Sequence, residues 1–170
     1  MRNRRENARD REKAFSEALE KARKVPRKFD VDVGLLKLGD RRVQLIVVAS
    51  FATCYAWEVR ENGDKLRLYR SELVLIPSEG AGLVGYEELE IRTGKLRFHL
   101  DRLQEIQLSL EPFFREVPVG RDGVSYSLAI FGATGSKTRL SWWMEGPEQW
   151  RPMIQVVTGM VEEFRSLAAR

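Results

Sequence analysis

Apolar positions recur along this chain with two different periods, and each change of period marks an element. From Arg5 to Lys24 the residues are helix formers with a narrow apolar stripe, Phe15, Ala18, Leu19 and Ala22, spaced by three and four. Pro26 predicts the end of that helix. A stripe this thin gains little from burial, so the helix either packs Phe15 and Leu19 on the domain or leans on a partner. RRVQLIVVAS and FATCYAWEVR follow, an almost continuous apolar stretch rich in Val, Ile and aromatics. That is the pattern of strands buried on both faces or central in a sheet. Asn62-Gly63 is the pair favoured in a type I′ turn and predicts a hairpin, with Leu66 and Leu68 alternating with Lys65, Arg67 and Tyr69 beyond it. ELVLIPSEGAGLVGYEEL reads as a short strand followed by a glycine-rich loop.

The stretch from Ile91 to Leu110 fits two periods. Leu96, Phe98 and Leu100 alternate, whereas Leu96, Leu100, Leu103 and Ile106 follow helical spacing. The helical match is longer and Thr93 can cap it, so the spacing predicts a helix over about Gly94–Glu105, with QLSLEP leaving it extended. Asp122-Gly123 opens a second hairpin, Ser125–Phe131 and Thr138–Trp143 joined by GATGSK. After the punctuated GPEQWRP comes an amphipathic helix over Pro152–Leu167, its apolar face formed by Met153, Ile154, Val157, Met160, Val161, Phe164 and Leu167. These elements predict an α+β fold. A mainly antiparallel sheet of hairpins, of about five to seven strands, is packed by the C-terminal helix. Residues 1–29 are expected to be a basic helical arm outside the core and residues 30–170 a single α+β domain.

Composition adds a size and a charge asymmetry. A chain of 170 residues suits one domain plus an appendage and can bury about two-thirds of its unfolded surface without a metal or disulfide staple. The single cysteine, Cys54, excludes an internal disulfide. The longest apolar run, Leu45 to Trp57, is well short of the ~20 residues of a spanning helix, and no apolar segment follows the charged N-terminus as in a secretion signal. The expectation is a cytoplasmic protein with no membrane partner. The net charge of +4 is unevenly placed: residues 1–29 carry 11 Lys/Arg against 5 Asp/Glu, the remainder 18 against 20. The basic surplus therefore belongs to the arm.

Most motifs with chemical content fail on inspection. GATGSKT lacks the glycines of a phosphate-binding P-loop and precedes a predicted strand rather than a helix, so it reads as a hairpin loop. One histidine, His99, and one cysteine in separate elements make neither a zinc site nor a convincing nucleophilic pair. His99 reads instead as a helix-surface or partly buried hydrogen-bonding residue. Glu87, Glu88 and Glu90 in YEELE read as a solvated acidic patch beside the glycine-rich loop. No cofactor and no metal is expected.

Three of the four tryptophans fall within SWWMEGPEQW. Adjacent strand residues point to opposite faces, so Trp142 and Trp143 cannot enter the same layer. One must face the helix layer, where Trp150 closes the core, and the other needs its own cover or a partner. The leading expectation is a non-enzymatic binding module for a protein partner, or for a second copy of itself, using Trp142 or Trp143 with Phe15. A nucleic-acid-associated protein is the alternative, with Arg2, Arg4, Arg5, Arg9 and Arg11 on phosphates. The interleaved acids of the arm and the single aromatic residue of its helix, Phe15, argue against it. A third class is an enzyme whose site gathers scattered residues such as Glu87, Glu88, His99 and Asp101 in one pocket.

Overall fold

The structure is a computed structural model that describes residues 2–24, 36–76, 80–108, 122–132 and 135–168. Six strands form one antiparallel sheet: β1 (Asp40–Ala49), β2 (Cys54–Asn62), β3 (Lys65–Ile76), β4 (Gly80–Leu89), β5 (Val124–Phe131) and β6 (Lys137–Trp143). Their order across the sheet is β4-β3-β2-β1-β5-β6, which puts the apolar β1 and β2 at its centre. Three helices complete the α+β fold: α1 (Arg2–Lys24), α2 (Thr93–Gln104) and α3 (Arg151–Ala168).

Alternation along the strands separates two faces. One carries Val43, Leu45 and Val47, paired across to Val59, Trp57 and Tyr55 and to Ile130, Leu128 and Tyr126. Against this face α3 lays Met153, Val156, Val157, Met160, Val161 and Phe164, all buried, and α2 adds Leu96 and Leu103. The opposite face is divided. On its β3–β4 side α1 packs Ala18 and Ala22 against Leu38, Tyr69 and Tyr86, with Phe15 and Leu19 at the margin. The two tyrosine rings stack at 4.7 Å. Burial, and then the charge of Glu88, hold the Tyr69 hydroxyl well above its ordinary pKa, so it stays neutral. The helix formers of the N-terminus thus use the thin stripe on their own domain, and the helix itself begins at Arg2 rather than Arg5.

Three sequence expectations change. The glycine-rich stretch is a strand, not a loop: β4 pairs with β3 along its length. Glycines hide the period-two signal there. One of them, Gly85 at φ 66°, occupies a bulge where the register shifts between Arg70 and Glu72. The β2–β3 turn is displaced by one residue. Asn62 pairs with Lys65, so the loop is Gly63-Asp64, with Gly63 at φ 60° and Asp64 outside the positive-φ region. That is the φ pattern of a type II′ turn, which needs glycine at its first central position, rather than of type I′. Thr93 is the first helical residue of α2, and Arg92 occupies the cap position without a side-chain hydrogen bond. Most of the extended QLSLEP stretch lies outside the described residues.

Candidate functional site

The two adjacent tryptophans part as the strand period requires. Trp142 is 5% exposed, stacks on Tyr126 at 5.4 Å and belongs to the principal core with Trp150. Trp143 lies half-buried on the other face. Its row across the sheet runs through Ser125 to Val48. The β1–β2 turn is tied to the start of β5 by three hydrogen bonds. Ser50 N–H and Oγ–H donate to the Gly123 carbonyl at 3.1 and 3.0 Å, and Gly123 N–H donates to Ser50 Oγ at 2.9 Å. Gly123 in turn lies against Trp143 and Met144. A Cβ there would stand 2.8 Å from Trp143 Cζ2 and 2.7 Å from Met144 Sδ, so a larger residue would displace both side chains.

Apolar side chains are exposed at this end of the sheet. Phe51, beside Ser50, is 88% exposed, Met144 44% and Val48 39%, and half-buried Trp143 shares the row of Val48. Met144 has a left-handed backbone, φ 52°, a conformation rare for a residue with a long side chain. Its N–H donates to the Val124 carbonyl at 2.7 Å, and that bond holds the turn after β6. Among the described residues the remaining large exposed apolar side chain is Phe98 on α2, away from this cluster and under the Arg102 guanidinium.

Phe15 does not join the patch. It lies on the β3–β4 side of the sheet, half-buried, with the Arg67 guanidinium 4.6 Å above its ring. Arg2, Arg4, Arg5, Arg9 and Arg11 fall on the first half of α1. In the second half Glu20 pairs with both Arg23 and Lys24.

The residues proposed for an enzyme site are spread over separate places. Glu87 pairs with Arg70 at 2.7 Å and Glu88 with Arg67 at 2.7 Å, on opposite faces of β4. His99 Nε2 lies 2.7 Å from Glu163 of α3, and Lys95 reaches the same carboxylate at 2.6 Å. A cleft of about 870 Å³ beside this cluster is lined by Glu90, Ile91, Arg92, Lys95, Glu163 and Leu167. Asp101 lines a different groove, with Arg42, Glu61 and Arg97. Among the described residues no group of three or more His, Cys, Asp or Glu could hold a metal ion. GATGSKT connects β5 to β6, and Lys137 is the first residue of a strand, so no helix N-terminus follows that loop.

The Lys95–Glu163–His99 cluster links α2 to α3 and predicts a pH dependence. The hydrogen bond from Lys95, then that from His99, holds the Glu163 carboxyl below its ordinary pKa despite partial burial. A depressed folded pKa stabilises the fold above the unfolded value of about 4.3, and that contribution fades as pH falls through the folded value. Glu163→Gln is therefore expected to lose about 1 kcal/mol at neutral pH, modest because Lys95 is solvent-exposed. The gap from wild type should close as pH falls from about 5 toward 3. Urea denaturation at stepped pH checks this, and a gap that widens on acidification would refute the assignment.

The sequence reading missed a buried polar cluster beside α1. Glu58, Arg60, Arg41 and Gln44 are each 8% exposed or less. Glu58 Oε2 accepts from Arg60 Nε and Nη2 at 3.1 and 2.9 Å and from the Tyr86 hydroxyl at 3.0 Å. Its other oxygen accepts from Gln44 at 3.2 Å and lies 3.5 Å from Arg41. Gln44 also accepts from Arg139 of β6 at 3.1 Å. The available signal was the alternation Glu58-x-Arg60 directly after the apolar run that ends at Trp57.

Compared with protein-family models, with curated proteins and with solved structures, the chain shows no match.

Proposed function

We propose that the protein is a non-enzymatic binding module that recognises a protein partner through the patch of Trp143, Met144, Val48 and Phe51. The observation that carries this reading is the contrast between neighbours. Trp142 is enclosed by the core, whereas Trp143 opens onto a cluster of exposed apolar side chains assembled from three strand ends. Tryptophan and neighbouring apolar side chains supply most of the energy at protein interfaces, and contiguous exposed apolar surface usually marks a contact. Gly123 supports the reading, since its missing side chain lets Trp143 and Met144 lie over the joint between the β1–β2 turn and β5. The pairing of Glu20 with Arg23 and Lys24 favours a solvated helix face over a phosphate-binding one for that part of α1.

The two tryptophans provide the test. Trp142→Ala is expected to destabilise by ~3–5 kcal/mol as a core deletion. Trp143→Ala should stay within ~1 kcal/mol of wild type and lose the partner. Thermal melting of both variants, with affinity capture by wild type and Trp143→Ala side by side, separates the two roles. Identical capture profiles would remove the patch from the reading.

A further inference from the structure

Charge at the patch end of the sheet narrows the kind of partner. Several carboxylates elsewhere on the sheet have basic partners: Glu58 with Arg60, Glu61 with Arg42, Glu87 with Arg70 and Glu88 with Arg67. Two carboxylates beside the patch, Asp122 before Gly123 and Glu145 after Met144, are exposed. Neither is ion-paired among the described residues. The stretches that meet there, 48–54, 122–125 and 143–147, contain no Lys or Arg, and Arg121 is the basic residue next to them in the sequence. The opposite strand ends carry Arg41, Arg42, Lys65, Lys137 and Arg139 together with Asp40, Glu61 and Asp64. The patch is therefore an apolar surface flanked by Asp122 and Glu145, two carboxylates without an ion-pair partner among the described residues.

We infer that the partner segment is a polypeptide with an apolar anchor flanked by lysine or arginine. The inference rests on the patch being the binding site. Interfaces juxtapose opposite potentials, and like charges brought together at a contact cost several kcal/mol. A second copy docking patch to patch would bring Asp122 and Glu145 toward their own images, and an anionic membrane or nucleic-acid surface would meet the same repulsion. The basic first half of this chain's own α1 is no substitute, because residues 2–13 offer Ala8 as their one apolar side chain. A basic amphipathic helix supplies both parts, anchors at helical spacing and cations along the flanks.

The test uses the full chain and three labelled helical peptides of equal length, built from Leu and Lys, from Leu and Gln, and from Leu and Glu. Binding is read by fluorescence anisotropy against wild type, Trp143→Ala and the double variant Asp122→Lys/Glu145→Lys. Expected on wild type is the order Lys, Gln, Glu from tightest to weakest, with the gap shrinking between ~0.05 and ~0.3 M salt as screening shortens. The charge-reversed variant should invert the order. Trp143→Ala should weaken the Leu/Lys peptide at least about tenfold. Equal affinities that still depend on Trp143 would overturn the charge inference and leave the patch standing. Binding indifferent to Trp143→Ala would remove the patch reading itself. Analytical ultracentrifugation completes the test: a monomer is expected, and a dimer dissolved by Trp143→Ala would assign the surface to a second copy and overturn the inference.

Discussion

Replacing Glu58 by alanine is expected to cost about 3–5 kcal/mol, more than any surface change in the protein. The carboxylate is 2% exposed and is the negative centre on which Arg60 and Arg41 converge. Arg60 is itself fully buried; its Nε–H is shared between Glu58 and the Tyr86 hydroxyl, and Nη1 donates to the Gly39 carbonyl. Without Glu58, two guanidinium groups stay in the interior opposite no charge at that position, and the Tyr86 hydroxyl and Gln44 amide each lose an acceptor. The desolvation of these groups then loses the offset that Glu58 supplied. Against a total stability of 5–15 kcal/mol for ordinary domains, the loss takes a large share of the fold. Urea denaturation at neutral pH measures it, with Glu58→Gln as a milder companion that keeps an acceptor oxygen but not the charge. A midpoint near wild type for Glu58→Ala would show that the cluster does not hold the centre of the sheet together.

The second large effect is at Trp150. The indole is 2% exposed on a short 3-10 turn, Glu148–Trp150, that leads into α3, and its N–H backbone donates to the Pro147 carbonyl at 3.0 Å. It belongs to the same core as Trp142, Trp57 and Phe164, so it closes the end of the layer between α3 and the sheet. Trp150→Ala removes the largest side chain from that end and leaves a cavity that a rigid turn cannot collapse, for a cost of ~3–5 kcal/mol. Calorimetric or denaturant unfolding reads this directly. Melting like wild type would rule out the core-closing role. Trp143→Ala, expected within ~1 kcal/mol of wild type, is the internal comparison, because the two residues match in chemistry and differ in enclosure.

How much of the candidate site could be read in the chain follows from the distances involved. The opposite orientation of Trp142 and Trp143 is a local property of any strand, and the sequence was enough for it. Which of the two is enclosed was not local. Trp142 is the buried one because α3 and Trp150 cover its face, whereas α1 covers the β3–β4 part of the other face and leaves Trp143 with Val48 and Met144. Phe51 and Val48 lie some ninety residues from Trp143 in the chain, and the β1–β5 and β5–β6 ladders, with the Ser50–Gly123 hydrogen bonds, join their strand ends. Single exposed apolar residues of this kind are unremarkable in a sequence and acquire meaning as a cluster.

Elements with a strong period or a long apolar run were determined by sequence alone: the central β1 and β2, the two hairpins, the C-terminal helix and, from these, the α+β class. Their hydrophobic pattern can be buried in one way, and no distant residue is needed to choose it. Tertiary structure decided the rest. It made a strand of glycine-rich β4, whose ladder is supplied by β3. It moved the β2–β3 turn by one residue to set the pairing register. It gathered Arg41, Gln44, Glu58 and Arg60 into a buried cluster, and it built the apolar patch from three strand ends. In each case the deciding partner is distant in the chain. Pairing and burial energies act between residues brought together in space, and a local pattern of polar and apolar positions does not record them.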